Sequence, residues 1–392
     1  MEGVVIALVV CLILALITKR LSLPTIPFYI IAGLLIGESG LNLVESDPVS
    51  LFLTQLGLLF LLFFMGLEIK PERIWSNQSA ILTSGVIDLN INMIIGFVAA
   101  YALGFSFFDS LIVAAAFFIS STAMAVTSLV ENRKLLMRES ETIVWLMIFE
   151  DIVLIIILAF VGSSTDNPFL LVLKLIAVLG ALYAVIRLGR RYIGALLKRD
   201  DELPVLLTFS AVLGIAAFSE AIGIPQSFVV IAFGTMLGSI DTAAFEAHSR
   251  PFKDVFLVIF FVFFGVTTNL FAGGVSLLAI VLVSILAIAS KWASGMVIGR
   301  VIHHSAASGI EIWSNTIGRG EFSIAIAALY GSPVVSSIIA TMVIITSIVG
   351  AFAARYSAFL KRLMLRKRGG IPEAGPPAHD EIPRIRQVPE GE

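Results

Sequence analysis

Apolar residues in this chain gather in long runs that few polar residues interrupt. Runs long enough to cross about 30 Å of hydrocarbon fall at 2–18, 24–38, 50–68, 79–103, 109–130, 140–162, 168–187, 203–222, 224–240, 253–270, 274–299, 310–331 and 333–358. The pattern predicts an all-α polytopic membrane protein with thirteen transmembrane helices. Gly223-Ile224-Pro225 and Gly331-Ser332-Pro333 divide two longer runs into pairs, since glycine and proline punctuate helices.

The basic residues orient these spans. Lys19, Arg20, Lys70, Arg73, Arg133, Lys134, Arg138, Arg187, Arg190, Arg191, Lys198, Arg199, Arg250, Lys253, Arg300, Arg355 and the cluster from Lys361 to Arg368 all fall at one side of the run pattern. Loops of the other side carry no Lys or Arg. The positive-inside rule makes the basic side cytoplasmic, with the N-terminus outside and the C-terminus inside a cell membrane. The first run has no basic residue before it and Lys19-Arg20 after it, so it reads as a retained span rather than a cleaved signal. Residues 1–360 form the expected membrane domain, and the Pro-, Gly- and charge-rich tail at 361–392 is expected to be disordered.

Composition agrees. Of 392 residues, 58% are hydrophobic and 14% charged, against about 25% charged in soluble domains. A net charge of −2 gives no hint of a nucleic-acid partner. The single cysteine, Cys11, excludes a disulfide framework or cysteine metal site within the chain. No nucleophile motif, metal-ligand spacing or phosphate loop is present, so neither an enzyme nor a cofactor is expected.

The second run, from Pro24 through Ile30 and Gly33 to Gly37, aligns without gaps on the ninth, from Pro225 through Ile231 and Gly234 to Gly238. Phe63-Phe64-Met65-Gly66 in the third run likewise resembles Val262-Phe263-Phe264-Gly265 in the tenth. Runs one to six thus repeat as eight to thirteen, with the seventh as connector. An odd offset of seven inverts one half relative to the other in the membrane. Inverted repeats recur in secondary transporters, with the substrate site near the midplane at discontinuous helices.

The chemistry lies in polar residues inside the runs. Glu150-Asp151 interrupts the sixth run, and a lone charge at mid-membrane costs about 2.5–3.5 kcal/mol on insertion scales. Neighbours on a helix lie about 100° apart, so one acid faces a cavity while the other pairs elsewhere. Lys291 in the eleventh run is the expected partner. Ser120-Ser121-Thr122 and Gly318-Arg319-Gly320-Glu321 interrupt the fifth and twelfth runs, which the repeat makes equivalent; hydroxyls and glycines there suit unwound, ion-facing backbone. Asp88, near Asn90 and Asn92, either partners Arg319 or lines a cavity. Lys174 and Glu220 are expected to reach an interface, Glu68 to be solvated, and His303 and His304 to lie on the surface.

This ordered set resembles the cation:proton antiporter-2 family of monovalent cation/proton antiporters, which includes Kef-type and NapA-type proteins. The resemblance covers about residues 1–360. It is carried by Leu56 to Glu68, Ser120 to Thr122, Phe149-Glu150-Asp151, Pro251-Phe252-Lys253 with Phe260 to Gly265, and Arg319-Gly320-Glu321-Phe322. It implies that Asp151 binds the cation or the proton, that Glu150 pairs with Lys291, and that Ser120 to Thr122 and Gly318 to Glu321 form crossing broken helices. Arg319, Glu321 and Asp88 are assigned to supporting that crossing. It also implies a homodimer and a moving core at about 79–162 and 274–358. Exchange is expected to be electrogenic, with Lys291 releasing a second proton when its pair with Glu150 opens. NapA-like sodium antiporters carry two aspartates at the acid pair, and potassium-type relatives often Gln-Asp. The acidic Glu150, and the absence from this sequence of the nucleotide-binding domain that Kef-type systems usually add, lean towards Na⁺ or Li⁺, with a Kef-type K⁺/H⁺ antiporter as the alternative. A sodium-coupled organic-anion symporter is a further rival, since crossing broken helices also serve that chemistry.

Overall fold

A computed structural model describes residues 2–21, 23–44, 47–68, 78–161, 167–199, 201–270 and 277–365. The tail expected to be disordered lies outside the described residues from 366 onward. The described part is helical: α1 (Glu2–Arg20), α2 (Thr25–Ile36), α3 (Pro48–Glu68), α4 (Gln78–Ala102), α5 (Phe107–Phe118), α6 (Thr122–Glu131), α7 (Arg138–Val161), α8 (Pro168–Leu197), α9 (Leu203–Ala221), α10 (Gln226–Thr267), α11 (Leu277–Ile302), α12 (Ala306–Thr316), α13 (Glu321–Tyr330), α14 (Pro333–Arg355) and α15 (Ser357–Leu365). Among the described residues nine stretches are long and apolar enough to cross a membrane, with α5 and α6 together counting as one. Shorter apolar pieces, Thr25–Ile36, Gln226–Gly238 and Glu321–Tyr330, fall on the second, ninth and twelfth runs.

The continuous element α10 spans both the ninth and the tenth run. It is not straight. Gly57 of α3 faces Phe256 of α10, and Gly66 of the same helix faces Ile231. That stretch of α3 advances about 14 Å, whereas a straight helix would set Ile231 and Phe256 about 37 Å apart. The element therefore doubles back and lays two arms against one stretch of α3, as two separate passes require.

These arms reveal the repeat as packing. Gly33 of α2 abuts Val262 and Gly265 in the second arm, while Gly66 of α3 abuts Ile231 and Gly234 in the first. The pairing of the second run with the ninth, and of the third with the tenth, converts one crossing into the other. Gly37 against Val266 and Gly238 against Leu67 are likewise equivalent. At Gly33 and Gly234 an added Cβ would run into a backbone carbonyl oxygen of the facing helix, so the crossings exist because the side chain is absent. Gly33→Ala and Gly234→Ala should each destabilise the purified protein by about 1–3 kcal/mol, read as a lowered melting temperature in detergent. Gly180→Ala, which meets open space, should instead be neutral or stabilising by up to about 1 kcal/mol.

The fifth and twelfth runs are each broken, as expected. One yields α5 and α6 around extended Ile119 and Ser121, the other α12 and α13 around Ile317 to Gly320. At the end of the bundle that carries the basic residues, the chain turns back after α14. It places α15 against α12, where buried Glu311 accepts from Lys134, Lys361, Ser357 and Asn315. Residues 361–365 thus belong to a docked helix, and the order of the chain extends past the boundary expected at 360.

Candidate functional site

The two breaks meet at the centre. The Ser121 amide donates to the Gly318 carbonyl at 2.8 Å, and the Ser120 hydroxyl donates to the Thr316 carbonyl at 3.1 Å. Ser121 also caps α6, accepting from the Met124 amide, and donates to Glu321 at 3.0 Å. Each break leaves a C-terminal half-helix end with free carbonyls and an N-terminal end with free amides. The chain answers both with its own charges.

Arg319 serves the carbonyl ends. Fully buried, it donates to the carbonyl of Phe117 in the last turn of α5 at 2.7 Å, to Ile317 just after α12 at 2.7 Å and to Ala287 of α11 at 2.9 Å. Its own carbonyl accepts from Ser347 and its amide donates to Thr346, which ties the break to α14. Arg319 therefore does not partner Asp88. Its guanidinium is taken by peptide groups that would otherwise be orphaned in the membrane interior. Carboxylates serve the amide ends: Glu321 sits in the first turn of α13, and Glu150 accepts from the Ser120 amide and hydroxyl.

Glu150 and Asp151 have separate surroundings on α7. Glu150 is 1% exposed and lies 2.8 Å from Lys291, the pairing expected from the sequence. Asp88 of α4 lies 2.6 Å from the same ammonium on its other side, and both Asp88 and Lys291 are 0% exposed. The remaining oxygen of Asp88 accepts from Ser294 at 2.6 Å and Asn92 at 2.9 Å, and Asn92 is itself held by Ser290 at 2.7 Å. Asp88 is thus part of the lysine's ion-pair cluster, a correction to the alternatives of an Arg319 partner or a cavity wall. Its polar cradle was half visible beforehand: Asn92 lies four residues from Asp88, and Ser290 and Ser294 flank Lys291 on one helical face.

Asp151 is different. It is half-buried, and its Oδ1 is buried without a hydrogen-bond partner, as is Oγ1 of Thr122. Buried polar atoms are normally satisfied, so an unpartnered carboxylate oxygen beside a helix break marks a place for a ligand. Of the three hydroxyls expected around the ion, Ser120 is engaged by Glu150 and Ser121 by Glu321, leaving Thr122 free.

The peripheral residues settle simply. Lys174 donates to the Ile222 carbonyl. Glu220 accepts from Gln226. Glu68 is half-exposed and paired with Lys253, whose ammonium lies over the Phe64 ring. His304 is exposed, whereas His303 is half-buried and bonded to Thr142 at 2.9 Å, a contact that its place in a basic loop did not suggest.

Two crossed broken helices, their ends neutralised internally, a free carboxylate beside the crossing and an inverted repeat define a secondary ion transporter. The chain belongs to the sodium/hydrogen exchanger family, whose transmembrane model matches residues 4–355. It is 30% identical over 393 residues to the K(+)/H(+) antiporter subunit KhtU of Bacillus subtilis, covering 94% of this chain and 96% of that protein. A glutathione-regulated potassium-efflux system protein of Haemophilus influenzae is 29% identical over 320 residues, covering 78% of this chain and 51% of that protein, so the chain spans about half its length. The fold is similar to that of the sodium proton antiporter MjNhaP1 from Methanocaldococcus jannaschii, with a TM-score of 0.65 and 18% identity over 93% of this chain and 97% of that one. The chain is a multi-pass monovalent cation/proton antiporter.

Proposed function

We propose that Asp151 is the group on which a monovalent cation and a proton replace each other, with Thr122 as a neutral oxygen beside it. The observation that carries this reading is the buried, unpartnered Oδ1 of Asp151. Glu150 is the lock. It holds the first break through Ser120 and is itself held by Lys291, so a cation drawing on Glu150 loosens the crossing and the pair together. Alternating access moves a core, at about 79–162 and 274–358, past a scaffold that contains the glycine crossings. That scaffold carries the contact between two copies in a homodimer. The basic end faces the cytoplasm and the N-terminus faces outward, in the cell membrane. The cation is substrate, and exchange needs no cofactor.

Two acids side by side support Na⁺ or Li⁺ as the cation. A second reading, K⁺, is favoured by the potassium relatives, one of them matched over nearly its whole length. Proton flux in proteoliposomes with each cation in turn tests both readings. An outward Na⁺ or Li⁺ gradient should drive proton uptake into the vesicle, and a response to K⁺ alone would reassign the cation. No response to any of the three would overturn exchange at this site.

A further inference from the structure

Lys291 has two carboxylate partners, and they are not equivalent. Glu150 reaches it from α7 while also holding the Ser120 amide and hydroxyl at the break, the part of the molecule that a bound cation disturbs. Asp88 reaches it from α4, bound by Ser294 and Asn92, with Ser290 behind Asn92 and, among the described residues, no hydrogen bond to either break. One partner is built to let go and the other to stay. A buried ammonium stripped of its only counter-ion is unstable as a cation and sheds its proton. An ammonium that keeps a carboxylate 2.6 Å away, in a pocket closed to solvent, has no such reason.

We infer that Asp88 is a positioning residue for stoichiometry: it remains the counter-ion of Lys291 throughout the cycle, so each cation is exchanged for one proton without net charge movement. In the cation-loaded state Asp151 is ionised beside the cation. In the proton-loaded state the same carboxyl is neutral with its proton. Asp88, Lys291 and Glu150 keep the same charges in both, and the two crossings of the membrane carry equal charge in opposite directions. This departs from the electrogenic exchange expected when Glu150 was the lysine's only visible partner.

The inference rests on Asp151 as the exchange site, and its test is separable from that reading. The full chain is reconstituted, proton flux is recorded by a pH dye, and charge displacement is recorded on a solid-supported membrane with the cation that drives flux. Wild type should show flux with no net charge per cation. Asp88→Asn, which deprives Lys291 of its permanent counter-ion, should move one net charge per cation. Asp88→Glu, which restores the carboxylate, should return towards none. A wild type that moves net charge overturns the inference, even if the Asn variant does not fold. So does an Asp88→Asn variant that transports without net charge. Absence of wild-type flux would instead count against the exchange site itself.

Discussion

Asp151→Asn should reduce cation-driven proton flux by at least about 100-fold, a loss of about 2.7 kcal/mol or more in the barrier to exchange, while leaving the protein folded. The amide has nearly the shape of the carboxyl but neither accepts a proton at working pH nor offers a negative charge to a cation. Folding should be spared because Oδ1 of Asp151 makes no hydrogen bond that asparagine would lose. Replacing a half-buried acid with a neutral group also removes a desolvation cost. The expected signature is therefore split: no flux in proteoliposomes, and a melting temperature in detergent equal to or above that of wild type. Full exchange by this variant would remove Asp151 from the mechanism.

Arg319→Leu should show the reverse order of damage, with the fold failing before function can be assayed. Three carbonyls, those of Phe117, Ile317 and Ala287, lose their donor at once. With each buried acceptor costing about 1–3 kcal/mol when left unpaired, the loss is about 3–9 kcal/mol, enough to deplete the folded protein. Two of those carbonyls belong to the half-helix ends at the crossing, so the cation there also cancels two negative dipole ends. Arg319→Lys should be intermediate, since an ammonium lacks the planar fork that reaches several acceptors. Size-exclusion profiles and melting curves read the series. A Leu variant as stable as wild type would show that the carbonyls find other donors.

Much of this was legible because the membrane simplifies the code. With no water to satisfy peptide groups, lipid-facing spans must be helical, and the alternation of basic loops located them. Glycine positions gave the repeat because close crossings admit nothing larger, so Gly33, Gly66, Gly234 and Gly265 kept the geometry in their spacing. Charge pairing was less legible. Asp88 and Lys291 lie 203 residues apart, and which helices adjoin is a tertiary fact. Arg319 misled because an arginine in a membrane invites a search for a carboxylate, whereas the broken helices had created peptide acceptors that sequence does not display. The two passes joined in α10 were read from separate apolar runs, but the shared surface on α3 was not. The hold of Glu311 on α15 depends on the chain turning back after Arg355, which no hydrophobic period announces.

That return of α15 has a mechanical consequence. The helix is fastened to α12, one half of a broken span, through Lys361 and Glu311. Any pull applied to the chain beyond Leu365 is therefore transmitted to the helix whose end forms the crossing. On the proposed division into moving core and scaffold, the C-terminal end of the described chain is a handle on the core.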